Sequence, residues 1–418
     1  MAFCVFANAI HAEKMRTYAS FCDICNNQRL FRMIRLLFIT DYSDSYANRL
    51  LKGITDYSKD KGQWSICRMP TYHKQSIGIE GILEIAREWE IDVIIGTFED
   101  GDDIGLLRSN GIIVIAQDFK KRLHGIPNIT GNYKGTGKMA AGYFIDRGFR
   151  NFGFFGLKDV CWSDERHEGF RKEIKAHGLE ESLHTYNMQD IDRHWFYERS
   201  ALAQWLKALP KPIGILACDD NQGNNLIQAC NSAGIKIPQE VSILGVDNDE
   251  LLCNLSIPTL SSIAIDIEGG GFQVAQLIER LVESQDTEYE DIILQPTKIV
   301  PRISTAAYAT GDSEILKAIM FIHQNSRRKI SVDDVVEQVA MSRRLLEIRF
   351  KEITGESIYQ YIMLLRLKTF AEMLLETNEQ VINIALSIGE SDAKSISKKF
   401  KAVYGCSPNE YRLRNSGI

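Results

Sequence analysis

The sequence has no apolar run reaching the ~18 residues that a membrane-crossing helix requires, so no membrane association is expected. It lacks a secretory signal as well: the opening MAFCVFANAIHA is briefly apolar, but no basic residue precedes it. The nine cysteines follow no pairing pattern. Cys22 and Cys25 form a lone CxxC with no second pair or histidine pair at zinc-finger spacing. No metal is expected, and reduced thiols in a cytoplasmic protein are. HExxH and GxSxG are missing, which removes zinc-protease and esterase chemistry, and the eight histidines fall into no triad-like spacing. GNYKGTGKM (131–139) comes nearest to a phosphate-binding loop. However, Asn132 stands where its first glycine belongs, and Met139 removes the hydroxyl that would hold magnesium. An enzyme and a cofactor are therefore not expected. Low-complexity segments are also absent.

The 418 residues, 44% hydrophobic and 25% charged, have the composition of a soluble globular chain of two or three domains. A net charge of −6 looks wrong for a nucleic-acid binder until the chain is divided. Residues 312–418 carry 16 Lys+Arg against 14 Asp+Glu, or +2, and the rest carries 33 against 41, or −8. That asymmetry points to a separate, more basic C-terminal domain.

Residues 1–32 are expected to be a disordered leader or an upstream start before Met33. From 33 to 304, short β-branched runs alternate with amphipathic helices. Strands are expected at 34–40, 64–69, 92–97, 112–118, 151–157, 214–219, 241–247 and 260–266. Helices are expected between them, among others at 45–59, 132–147, 164–177, 220–233 and 267–283. Apolar runs of this length separated by helices predict α/β lobes with parallel sheets, in two groups, 34–125 and 151–240. Such sheets bind ligands at their strands' carboxyl ends. Those ends carry Asp41, Asp118, Asp219, Asp220 and Asp247, which suits a polyhydroxylated ligand because a carboxylate can accept from two neighbouring hydroxyls. Residues 305–312 (TAAYATGD) read as a linker, and 313–418 as purely helical.

The helical part repeats itself. Phe350, Lys351, Gly355, Ser357 and Tyr361 recur fifty residues later as Phe400, Lys401, Gly405, Ser407 and Tyr411. Each copy follows a short apolar helix, VDDVVEQVA (332–340) or VINIALSIG (381–389), and then an N-cap residue, Ser342 or Asp392. Helix, tight turn and capped helix make a helix-turn-helix unit, whose second helix enters the major groove of DNA. Its groove-facing candidates are Arg343, Arg344, Glu347, Arg349 and Lys351 in the first unit. In the second they are Ala393, Lys394, Ser397, Lys398 and Lys401, with Lys399 among them. Arginine can bond guanine bidentately, and lysine mostly neutralises phosphate. The helix at 358–376 is expected to hold the units about one DNA turn, roughly 34 Å, apart.

This pattern resembles the AraC family of bacterial regulators, whose signature is matched by NIALSIGESDAKSISKKFKAVYGCSPNEYR. Glu390 replaces the family's aromatic after the glycine, and Ser395 and Ile396 replace an aromatic pair, which is expected to weaken the second unit's core. Residues 33–304 resemble the LacI-type sugar-sensing fold, related to periplasmic sugar-binding proteins. The resemblance rests on GNYKGTGKMAAGYFIDRGFRNFGFFG (131–156), ERHEGF (165–170), ILACDDNQGNNLIQACNSAGIKIPQEVSILGVDND (215–249) and PTLSSI (258–263). It implies that Arg166 and Asp247 meet sugar hydroxyls. Trp162 is expected to stack on a sugar face, with Asp118, Asp219 and Asp220 taking further hydroxyls and Asp41 and Tyr46 on the first strand-to-helix loop. It also implies a pentose effector, D-xylose first, and a homodimer on double-stranded operator DNA that activates transcription, with RNA polymerase left open as a partner. Two alternatives remain: another small polar effector, or a stand-alone sugar-binding protein, which would leave the repeat unexplained.

Overall fold

A computed structural model describes residues 33–41, 44–59, 64–188, 199–284, 289–306, 312–325, 328–377, 379–390 and 393–415. The expected leader, the cap residue Asp392 and linker residues 307–311 lie outside them. The chain divides into two compact units. One runs to Ala116 and includes Gly271–Glu290; the other comprises Gln117–Gly270 and Asp291 onward.

The first unit contains β1 (Ile34–Ile39), α1 (Ser45–Ser58), β2 (Trp64–Met69), α2 (Thr71–Glu88), β3 (Val93–Gly96), α3 (Ile104–Ser109) and β4 (Ile113–Gln117). Its strands run parallel in the order β2-β1-β3-β4. Leu36, Leu37 and Phe38 are fully buried, as strands covered on both faces require.

The second unit continues with β5 (Asn128–Gly131), α4 (Tyr133–Asp146), β6 (Phe152–Leu157), α5 (Cys161–Ala176), β7 (Leu183–Met188), α6 (Arg199–Ala208) and β8 (Ile213–Ala217). Then come α7 (Asp220–Ala233), β9 (Val241–Asp247), α8 (Glu250–Leu255), β10 (Ser261–Ile265), α9 (Ile267–Ser284), β11 (Ile292–Leu294) and β12 (Pro296–Val300); α9 enters the first unit from Gly271. The six-stranded sheet has the order β12-β10-β9-β8-β6-β7 and is parallel except between β10 and β12, while β11 pairs in parallel with β5. The strands not foreseen, β5, β7, β11 and β12, are short or polar, and only their neighbours make them strands.

The helical part comprises α10 (Ser313–Gln324), α11 (Val332–Val336), α12 (Arg343–Thr354), α13 (Ile358–Glu376), α14 (Val381–Ser387), α15 (Ala393–Tyr404) and α16 (Pro408–Asn415). Two cores share α13. Ile358 and Ile362 join Ile319, Val335, Leu346 and Phe350; Leu367, Phe370 and Leu374 join Ile384, Ile396 and Phe400. Ala306 belongs to the first core and Thr305 is buried, so the linker expected from 305 starts inside packed structure.

The fifty-residue repeat is a repeat of packing. Phe350 meets Tyr361 edge-on at 5.4 Å, and Phe400 meets Tyr411 edge-on at 5.3 Å. Gly355 and Gly405 take the left-handed conformation that ends each helix, with φ of 80° and 73°. Ser357 and Ser407 then accept from the amides of Gln360 and Glu410. In the second core, where the sequence leads one to expect weaker packing, Ile396 is 1% exposed, and Phe370, Phe400, Tyr404 and Tyr411 supply the aromatic contacts.

His323 on α10 lies 2.9 Å, Nε2 to Oη, from Tyr361. Burial, then the charges of Lys368 and Arg147, push its pKa from 6.5 down to about 4. As pH falls, the unfolded chain therefore takes up this proton first. The stability linked to His323 is present above about pH 6.5 and is lost toward pH 4, by roughly 3 kcal/mol. His323→Gln should remove that portion of the acid sensitivity, read as the difference between denaturation midpoints at neutral and acid pH. An unchanged difference would reject the assignment.

Candidate functional site

Two helices position the strand-end site of the second unit, and glycine sets how closely they cross. A Cβ on Gly137 of α4 would fall 2.0 Å from the Arg166 carbonyl, and one on Gly169 of α5 would fall 2.0 Å from the Lys134 carbonyl. Gly137, part of the stretch that imitated a phosphate loop, and Gly169 thus let α4 meet α5 and carry Arg166 to the sheet.

The Arg166 side chain is 5% exposed. Its guanidinium donates to the Cys218 carbonyl at the end of β8 and, at 3.1 Å, to Asp247 Oδ1 at the end of β9. The rings of Trp162 and Tyr133 each lie 5.2 Å from the guanidinium carbon. Nε is buried and has no partner among the described residues. Asp247 and Asn248 have φ of 97° and 51°, a backbone strain of the kind that gathers at functional sites. Arg302 braces that turn, donating to Asn248 Oδ1 at 2.9 Å and to the Leu260 carbonyl at 2.9 Å. A buried cation between two aromatic faces, beside a carboxylate and with one nitrogen unpartnered, suits a small polar ligand with an apolar face.

The other aspartates are drawn inward. Asp118 is buried, its side chain 4% exposed. It accepts from Thr130 Oγ1 at 2.5 Å and Tyr133 Oη at 2.7 Å, and from the Cys161 thiol at 3.6 Å. Burial raises its pKa despite these donors. Burial and Asp118 together push the Cys161 thiol up to about 12. Asp220 is 2% exposed and accepts from Ser262 Oγ at 2.6 Å and the Asp249 amide at 2.8 Å, with burial raising its pKa. Its place is behind the site, holding the β9–α8 turn. Asp219 caps α7, accepting from the Gln222 amide at 2.6 Å. Tyr133, Thr130 and Arg122, which pairs bidentately with Glu165 at 2.7 and 3.0 Å, were not singled out in the sequence. Nothing local marks them, since their partners are remote. In the first unit, Asp41 is exposed and accepts from the Thr71 amide at 3.3 Å, while the Tyr46 amide donates to Asp44, the cap of α1.

A second candidate surface lies on α12 and α15. Ser342 caps α12 through the Leu345 amide. Arg343, Arg344, Glu347 and Lys351 are exposed, as are Lys394, Lys398 and Lys401 on α15, with Ser397 half-buried. Ala393 is the first residue of α15. Arg343 is engaged by Asp333 at 2.6 Å and Glu347 at 3.0 Å, so it would exchange protein carboxylates for any nucleic-acid contact. Arg349 reaches Asp312 at 2.8 Å, and Lys399 reaches Tyr359 Oη at 3.2 Å. Among the described residues no ion pair is seen for Arg344, Lys351, Lys398 or Lys401.

A model of the periplasmic binding protein-like domain matches residues 141–305, and one of the helix-turn-helix domain matches residues 335–414. The chain is similar to the xylose operon regulatory protein of Escherichia coli (strain K12), with 26% identity over 396 residues, covering 92% of this chain and 98% of that one. It is 34% identical over 105 residues to the HTH-type transcriptional activator AarP of Providencia stuartii, covering 25% of this chain and 78% of AarP. The solved structure of the xylose-binding transcription activator xylR aligns with a TM-score of 0.62 and 24% identity, over 92% of this chain and 99% of that one, a likeness of fold. No helix among the described residues is long and apolar enough to cross a membrane.

Proposed function

Because the chain belongs to the AraC-type helix-turn-helix regulators, we propose that it is a sugar-responsive transcription activator of pentose-utilisation genes, with D-xylose as effector. The observation that carries this reading is that one chain joins a buried arginine–aspartate site at strand ends to two basic helices at a fifty-residue repeat. The name of the Escherichia coli relative supports xylose among the pentoses.

In this reading Arg166 and Asp247 hold neighbouring hydroxyls and Trp162 covers the sugar's C–H face. Asp118 and Asp219 add polar contacts in the second unit and Asp41 and Tyr46 in the first, while Asp220 acts by fixing the turn that carries Asp247. Closure on sugar regulates only through a difference in affinity between DNA-competent and incompetent arrangements. Operator DNA is met by Arg343, Arg344, Glu347, Arg349 and Lys351, and by Ala393, Lys394, Ser397, Lys398 and Lys401. A cytoplasmic homodimer acting with RNA polymerase completes the proposal.

The test is thermal unfolding with a panel of pentoses and hexoses. A sugar at a hundred times its dissociation constant should stabilise the native state by about 2.7 kcal/mol. A rise with D-xylose and not with arabinose or ribose supports the effector. A rise with another sugar replaces it, and no rise with any sugar leaves a DNA-binding regulator of a different ligand class.

A further inference from the structure

The family's aromatic after the α14 glycine is a glutamate here, and the structure gives that glutamate a partner. Glu390 Oε1 lies 2.5 Å from Arg366 Nη1, with the two side chains 18% and 7% exposed. Arg366 projects from α13 where the helix passes from one core to the other, between Ile362 of the first and Leu367 of the second. Its Nη2 donates to the Ile330 carbonyl at 3.3 Å, just before Ser331 caps the first unit's α11. Next to Glu390, Gly389 has a φ of 82°, and a Cβ there would lie 2.6 Å from Lys329 Cβ and 2.9 Å from the Lys329 amide nitrogen. Residues 389–390 of the second unit therefore press directly on residues 329–330 at the edge of the first.

We infer that Arg366 and Glu390 are positioning residues that fix the placement of α15 relative to α12, and so the half-site spacing that the protein accepts on DNA. A single helix joining two cores can still bend and twist. A second tie beside it closes a loop of rigid contacts and removes that freedom. Buried ion pairs seldom raise stability over an apolar replacement, and their best-attested use is to enforce one register. Here the pair touches both units at the changeover between cores, where such a constraint acts on their mutual placement. Neither residue lies on the exposed faces of α12 or α15, so both act through the helices they hold.

The inference rests on the DNA-binding reading, and the test separates the two. Full-length wild type and Glu390→Gln select binders from a random-sequence duplex pool about two turns long, and the spacing between selected half-sites is read. Wild type should enrich two half-sites at one spacing. Glu390→Gln should enrich the same half-sites with its preference for that spacing reduced on the order of tenfold. In parallel, spin labels on encoded ketone side chains at Glu352 and Ala402, equivalent exposed positions on α12 and α15, report the distance distribution without DNA. It should be narrow in wild type and broadened in the variant. If Glu390→Gln does not fold, Arg366→Lys takes its place under the same readouts. A variant that keeps the narrow distribution or the single spacing overturns the inference. If wild type enriches no duplex, the DNA-binding reading fails while the distance measurement still decides the tie.

Discussion

Replacing Arg166 with alanine should destabilise the folded protein by about 3–5 kcal/mol and abolish any sugar-dependent rise in unfolding temperature. The guanidinium is buried among Cys218, Asp247, Tyr133 and Trp162, and removing it takes a charged donor from the Asp247 carboxylate and opens a cavity beside a backbone held at a φ of 97°. Denaturant unfolding gives the first quantity and calorimetric sugar titration the second. Arg166→Lys keeps the charge but loses the planar fork that serves Cys218 and Asp247 together. It should recover most of the stability and little of the binding. Wild-type sugar affinity in Arg166→Ala would remove the strand-end site from the proposal.

The second large effect is expected at the aromatic pairs. Phe350→Ala and Phe400→Ala should each destabilise the helical part by about 3–5 kcal/mol, because each ring is fully buried and meets edge-on a tyrosine in the first turn of the next helix. Binding to duplex DNA should be lost with them, since α12 and α15 are held by these rings. Lys398→Ala supplies the contrast. It is exposed, so stability should change by less than about 0.5 kcal/mol, while the salt dependence of DNA binding should flatten by about one unit for the lost phosphate contact. Equilibrium unfolding and salt-dependent anisotropy read both. If Phe400→Ala binds DNA with wild-type affinity, α15 is not the recognition helix.

The sequence by itself determined the elements whose cause is local. Alternating apolar runs mark the buried parallel strands, and β9 and α7 fall at 241–247 and 220–233 as expected, because burial on both faces and a capping aspartate act within a few residues. The helix-turn-helix units were legible for the same reason. A cap, a glycine and an aromatic pair are each fixed by neighbours in the chain, and repetition at fifty residues doubles the signal.

Only the tertiary structure decided which aspartates the protein's own donors engage. Asp118, Asp219, Asp220 and Asp247 look alike as acidic residues ending strands, but Asp220 is satisfied by Ser262, 42 residues away, and by the Asp249 amide, 29 away. Asp118 is held by Thr130 and Tyr133, whose approach depends on how β5 and α4 pack. The partner of Glu390 was likewise out of sight, since it comes from the middle of another helix. A carboxylate's role follows from the donors that reach it and the water it loses, and packing between remote segments sets both.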